Sequence, residues 1–297
     1  MDCVDTNKGR KDYIQRIKEK YGGGGCLEPD CTLVTGIFDL QHIHNNCRSL
    51  DDCIRLCEPV LSIDAPMVIY CSKSLASRIR EKRVGFKKTQ IIEQELNELW
   101  SFQYLSKVKK NREIYWPTRD ERTCAESHLV CCNKFDFVYE TILFNPFHTR
   151  CFAWIDAFLG QPGKKGLRIT ESEDREMVKQ ILIELANRRK TNKFHIQCLS
   201  LVDPKFLKPE NKKEYYSVYR WVVCGGFFLT EGEVGIKIMN RLKEVFIETT
   251  EAGYGHGEEM FYLEVLDEFL DDLALSFGDY GQILDNFIYP RRNFWWP

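Results

Sequence analysis

The chain has 297 residues, 43% of them apolar and 13% aromatic, enough to bury a sizeable core in one large α/β domain or two small ones. A formal net charge of −2 argues against nucleic acid or another polyanion as its partner. Thirteen cysteines at irregular spacings, with no CxxC pair, make neither a disulfide scaffold nor a structural zinc site in a chain this long.

Many of the thiols, such as Cys71, Cys151 and Cys224, lie inside apolar runs, where a free thiol behaves as a small hydrophobe. That usage is expected of a reducing, cytoplasmic compartment. No apolar run approaches the about 18 residues that a membrane span needs. The N-terminal stretch MDCVDTNKGRKDY is too polar for a signal peptide.

Residues 1–30 read as an N-terminal appendage. A charged segment, Lys8–Lys20, has helical character, and four consecutive glycines, Gly22–Gly25, then act as a hinge. Residues 1–25 are therefore expected to be dispensable for folding, with the globular domain spanning 31–297.

Strand and helix alternate from there. Thr32–Phe38 and Pro66–Cys71 read as buried strands, followed by helices over Ser49–Leu61 and Ser72–Lys82. The basic run Arg78–Lys88 reads as a solvated helix-and-turn face. Thr89–Ile92 is either a third strand or the first turn of a long helix carrying Leu96, Leu99, Trp100, Leu105 and Val108. A helix around Val138 and Ile142 is stopped by Asn145-Pro146 and feeds the strand Cys151–Ile155, which ends on Asp156.

The second half keeps this style. Thr170 and Glu173 form a capping box before a helix with Val178, Ile181, Leu182 and Leu185 on one face. Phe194–Leu201 and Tyr219–Leu229 read as strands, the second interrupted by Gly225-Gly226. Val234–Phe246 is a helix, and another follows Gly257 with Met260, Leu263, Leu266, Phe269 and Leu270 inward. Such alternation predicts a mostly parallel sheet covered by helices on both faces.

Four places are candidates for chemistry. Asp156 at a strand end is either a ligand for a divalent cation, a sugar or a phosphate-bound metal, or a helix N-cap or loop carboxylate bonded to nearby amides. In Tyr254-Gly-His-Gly-Glu-Glu259 the flanking glycines would let His256 approach a ligand, while Glu258 and Glu259 open a helix whose dipole acidic residues favourably oppose. Gly225-Gly226 marks either close approach of a ligand or a tight packing contact. Phe38-Asp39 ends the first strand, where such sheets commonly receive a nucleotide. No GxGxxG or GxxxxGK[ST] follows it, so dinucleotide and P-loop readings fail. His42 and His44 form a polar-loop pair at i, i+2, a weak metal pattern. Helical phase, read from Met260 and Leu263, puts Glu259 toward the crevice and Glu258 toward solvent.

In order along the chain, TLVTGIFDL (32–40), PMVIY (66–70), NKFDFV…NPFHTRCFAWIDAFL (133–159), CGGFF (224–228), GEEMFYLEVL (257–266) and GDYGQILDN (278–286) resemble the HtrL/YibB (WlaTC-type) proteins. That family is associated with lipopolysaccharide and lipooligosaccharide sugar biosynthesis and looks like glycosyltransferases of the GT-A fold. The resemblance implies a single Rossmann-like nucleotide-sugar-binding domain. It implies a hexosyltransferase that moves a sugar from a nucleotide-diphosphate sugar to a glycan or other hydroxyl acceptor, with Mn2+ or Mg2+ as cofactor.

Carried over position by position, Trp154-Ile155-Asp156 stands where GT-A enzymes have D-x-D, so only the last carboxylate is present. Asp156 and His256 would hold the metal. Thr35, Phe38 and Asp39 would flank base and ribose, with Trp154 also on the donor. Lys134 would reach the phosphates, Gly225 and Gly226 would admit the donor sugar, and Glu258 or Glu259 would be the catalytic carboxylate. The half-missing motif motivates an alternative, a catalytically silent nucleotide- or carbohydrate-binding protein on the same scaffold. A metal-dependent nucleotide-sugar hydrolase is a third reading.

Overall fold

The computed structural model describes residues 6–21, 28–43, 47–114, 123–159, 172–187, 192–254 and 257–278. In chain order its elements are α1 (Thr6–Tyr21), β1 (Cys31–Ile37), α2 (Leu50–Leu61), β2 (Met67–Cys71), α3 (Lys73–Lys82), β3 (Thr89–Glu93), α4 (Leu105–Ile114), α5 (Ala125–Cys132) and α6 (Lys134–Phe144). They continue with β4 (Cys151–Ile155), α7 (Ser172–Asn187), β5 (Phe194–Cys198), α8 (Lys212–Tyr216), β6 (Val223–Glu231), α9 (Gly232–Glu251), α10 (Tyr262–Glu268) and β7 (Leu273–Phe277).

The strands form one seven-stranded sheet in the order β3-β2-β1-β4-β6-β5-β7. Every neighbouring pair is parallel except the two that β6 makes, with β4 and β5. Strands β1, β2 and β4 are apolar on both sides because helices cover both faces. One face packs Leu33, Ile37, Met67 and Ile69 against α2, α3 and α7. The other packs Val34, Val68, Phe152 and Trp154 against α5, α6, α9 and α10. Asn145 ends α6 in the left-handed region at φ 34°, and its side chain bonds Thr149 at both backbone groups (2.9 and 3.0 Å). That turn aims the chain into β4.

Four expectations are corrected. The long helix from Leu96 is broken into 3-10 turns, Leu96–Glu98 and Trp100–Tyr104, ahead of α4. Leu99 is extended between them, and Ser101 is held by tertiary bonds instead, its N–H to Asn133 Oδ1 (3.1 Å) and its hydroxyl to the Leu129 carbonyl (2.8 Å). The strand expected from Tyr219 begins only at Val223, and β7 had no counterpart in the sequence reading. The segment after Gly257 opens with a 3-10 turn, Glu258–Phe261, before α10.

Finally, α1 is not a free appendage. Tyr13 and Ile17 are buried, Tyr13 donates to Glu184 of α7 at 2.6 Å, and Lys18 pairs with Glu176 at 3.0 Å. Residues 1–25 are therefore not expected to be dispensable. Gly22–Gly25 and Thr170 lie outside the described residues.

The chain leaves β1 for β2 on one side, while β4 pairs with β1 on the other. This is the topological switch point of the sheet, and a crevice at the carboxyl ends of β1 and β4 is where such a sheet receives a ligand. No helix among the described residues is long and apolar enough to cross a membrane.

Candidate active site

Two sets of polar groups gather at that edge of the sheet. The first lines a recess of about 420 Å³ with Asp39, Ser72, Ser74, Glu95, Leu96 and Asn97. Asp39 follows β1 directly. Its N–H donates to Ser72 Oγ (2.9 Å), Oδ1 accepts from the Gln41 N–H (2.9 Å), and Oδ2 accepts from Ser74 Oγ (3.2 Å). The carboxylate is fixed by the Gln41 and Ser74 bonds yet stays on the recess wall.

The second set centres on Lys134, in the first turn of α6, whose side chain is 2% exposed. Its ammonium donates to Glu258 Oε1 (2.6 Å), the Gly225 carbonyl (3.0 Å) and Asp156 Oδ1 (3.4 Å). Burial alone would lower the lysine pKa, but Asp156 and Glu258 together hold it well above its ordinary value. All three N–H donors have acceptors, so Lys134 holds carboxylates rather than reaching toward phosphates as the resemblance implied. The Trp154 indole N–H also donates to Asp156 Oδ1, at 2.6 Å. With Oδ1 engaged twice, the orientation of Asp156 is set, and its side chain remains 38% exposed at the crevice.

Glu258 and Glu259 both face this cluster. A Cβ added at Gly225 would lie 3.3 Å from Glu258 Oε1 and 3.3 Å from Glu259 Cγ. The expectation that Glu258 is solvated is corrected: it is buried against Lys134, while Glu259 is half-buried. The 3-10 turn replaces the α-helical phase on which that expectation rested. Glu259 Oε2 accepts from the Tyr219 hydroxyl at 2.6 Å. Burial, then the neighbouring Glu258 charge, pushes the Glu259 carboxyl up to about 8. Burial and the same two glutamates raise the Tyr219 pKa, which keeps its hydroxyl a donor.

The glycines serve these side chains. Gly225 makes room for Glu258, Glu259 and Lys134, whereas a Cβ on Gly226 would meet Leu159 at 3.2 Å and Asp156 Oδ2 at 3.4 Å. Neither opens onto free space for a donor sugar. Gly257 admits Tyr219, since a Cβ there would lie 2.4 Å from its hydroxyl.

The remaining expected residues separate. Thr35 is fully buried in β1 and Phe38 is buried, stacked on Phe137 with centroids 5.6 Å apart, so both build the floor beneath the site. His42 is exposed, and His44 and His256 lie outside the described residues. A divalent cation takes several oxygen ligands. Among the described residues no three His, Cys, Asp or Glu side chains converge on such a position. Among the described residues of this cluster, Glu258 is committed to Lys134 and Glu259 to Tyr219, which leaves the half-exposed Asp156 carboxylate open to the crevice.

Sequence reasoning missed Tyr219, Ser72 and Ser74 as site residues. The serines carry a usable signal, since they directly follow an apolar strand on the carboxyl edge. Tyr219 carries none, because its partner is 40 residues away.

The mostly parallel sheet with one reversed strand, helices on both faces and polar groups at the switch point is a single α/β fold of the predicted class. Residues 29–171 match the profile of a family described as "Bacterial protein of unknown function (HtrL_YibB)", the family that the motifs resemble. Among solved structures, mouse xyloside xylosyltransferase 1 in its apo form is similar at 11% identity and a TM-score of 0.42, over 84% of this chain and 84% of that one. The 4-diphosphocytidyl-2C-methyl-D-erythritolsynthase of Anaerococcus prevotii DSM 20548 is similar at 9% identity and a TM-score of 0.37, over 87% of this chain and 93% of that one. No curated protein matches the chain.

Proposed function

We propose that the protein is a glycosyltransferase that moves a sugar from a nucleotide-diphosphate sugar to a hydroxyl acceptor. The observation that carries this reading is the meeting of two polar sets at one switch point, the Asp39 recess beside β1 and the Asp156–Glu259 cluster beside β4. The recess would take the nucleoside through the Asp39, Ser72 and Ser74 oxygens. Asp156 would accept from the hydroxyls of the transferred sugar, oriented by Trp154 and Lys134. Glu259 would take the proton of the acceptor hydroxyl as its oxygen bonds to the anomeric carbon. The bond from that carbon to the diphosphate breaks in the same step, and the nucleoside diphosphate leaves with the electron pair.

A carboxyl with a raised pKa is a base near neutral pH, where acceptor alcohols need help. Because the Glu259 pKa lies at about 8, its basic form grows as pH rises, and the transfer rate should rise through that pH. Titration calorimetry with UDP, GDP, CMP and dTDP, each with Mn2+ and with chelator, tests the reading. At least one nucleotide should bind, and the chelator arm measures whether a cation contributes. No binding in any arm overturns the proposal. With a donor found, Glu259→Gln should slow transfer by roughly 10²–10⁴-fold. Asp156→Asn should remove most activity without unfolding the chain. Nucleotide binding with no turnover of any donor would favour the catalytically silent scaffold.

A further inference from the structure

Trp221 is exposed on 61% of its surface, and it is the one tryptophan among the described residues to be exposed. An exposed tryptophan at the rim of a polar site is a large apolar area that nothing among the described residues covers. It is held in place rather than dangling. Its carbonyl accepts from Ser200 Oγ at 2.5 Å, and the Val222 carbonyl beside it accepts from the Leu199 N–H at 3.0 Å. These bonds tie the segment before β6 to the end of β5. The indole meets Tyr219 edge-on, with centroids 5.6 Å apart and planes at 76°. Tyr219 in turn donates to Glu259, so one unbroken chain of contacts runs from the exposed ring to the candidate base.

The surroundings narrow the chemistry. Leu201, next to Ser200, and Val218, next to Tyr219, are also exposed. The charge between the two aromatics is turned away: the Arg220 guanidinium lies over Phe206 and Tyr215 and donates to the Tyr215 carbonyl at 3.3 Å. The exposed side chains of Leu201, Val218 and Trp221 are apolar, with the Glu259 carboxylate at their inner end. Arg220 is committed to Phe206 and Tyr215 and is not offered to an anionic nucleotide at Trp221. A neutral pyranose suits this surface, with its C–H face on the indole and its hydroxyls directed inward.

We infer that Trp221, backed by Tyr219, is the acceptor platform, on which a neutral sugar ring of the acceptor glycan stacks with one hydroxyl toward Glu259. The inference rests on the transferase reading for what happens to that hydroxyl, but binding at the platform is measurable without any transfer. In the isotope-labelled full chain, the indole N–H signal of Trp221 is assigned by its disappearance in Trp221→Phe. Methyl β-D-glucopyranoside, methyl β-D-galactopyranoside and UDP are then titrated separately. A shift of that signal by a glycoside and not by UDP is expected. A shift by UDP alone places Trp221 on the donor side, and no shift by any of the three removes the platform; either result overturns the inference. With a transfer assay in hand, Trp221→Ala should raise the acceptor KM roughly tenfold and leave nucleotide affinity within about twofold. An equal loss of nucleotide affinity also overturns it. Should no nucleotide bind the protein at all, the transferase reading fails, while a glycoside shift at Trp221 would still identify a sugar-binding surface.

Discussion

Lys134 and the basic run Arg78–Lys88 both set cations against carboxylates, but in different media. In the run, Arg78 meets Asp51 at 2.8 Å and Lys82 meets Glu58 at 2.7 Å, with the paired side chains 35–87% exposed. Arg80 reaches Glu93 and Lys88 reaches Glu28 in the same way. Lys134 meets Glu258 with the two side chains 2% and 9% exposed. Water screens the first group and supplies alternative partners to every member, so such pairs contribute little. No water replaces a lost partner in the second. A sequence scan ranks the dense run above the single lysine, whereas burial reverses the order. The run contains its own exception in Arg83, buried and donating to the carbonyls of Leu61, Ile63 and Ala65.

The largest expected effect follows from Lys134→Met. It leaves Glu258 buried without its cation, which typically costs about 3–5 kcal/mol. Urea denaturation should show the loss. The double variant Lys134→Met with Glu258→Gln should recover much of it, because the stranded charge is gone. A loss below about 1 kcal/mol in the single variant would erase the distinction between the two regions.

The parts of this arrangement that local pattern encodes were legible in the chain. Strands β1, β2 and β4 are buried runs rich in apolar residues and bounded by polar turns, and Ser49 caps α2 by accepting the Asp52 N–H at 3.2 Å. Asp156 stood out because a strand buried on both faces ends on it. The direction of β6 was not legible, since burial on both faces removes the alternation and leaves nothing in the sequence to report orientation. β7 was hidden because LALSF is only partly buried, and its pairing depends on β5, 75 positions or more away. The division of labour between Glu258 and Glu259 was misread for a comparable reason. The two carboxylates are held by Lys134 and Tyr219, neither of which is a sequence neighbour, and the turn that carries them is 3-10 rather than α-helical.

A second, smaller effect tests whether the buried cluster extends its influence to pH. The Glu259 carboxyl titrates at about 8 in the fold against an ordinary value of 4.5. The folded state thus holds a proton that the unfolded chain has released. Stability from this group is fully present below about pH 4.5 and is lost as pH rises through about 8. The expected decline is on the order of 2–4 kcal/mol. Glu259→Gln should flatten the profile and be the more stable form at the alkaline end. Equal slopes in both proteins would mean that water reaches Glu259 as freely as it reaches the surface pairs.

The smallest effect belongs to the surface run, and it has to be small for the comparison to stand. Lys82→Ala removes the ammonium that meets Glu58, but Glu58 is half exposed and regains water at once. The expected change is about 0–1 kcal/mol, and it should shrink further in concentrated salt, where the Debye length falls to about 3 Å. Two neighbouring positions then provide the contrast within a single helix end. Arg83→Met, one residue on, leaves three backbone carbonyls without the guanidinium that satisfies them, each in a place from which water is excluded. A buried group that loses its partner costs about 1–3 kcal/mol, so this substitution should exceed Lys82→Ala several-fold. Denaturation midpoints measured side by side decide it. Similar losses at Lys82 and Arg83 would mean that position in the run, not burial, sets the energy, and the reasoning that singles out Lys134 would fall with it.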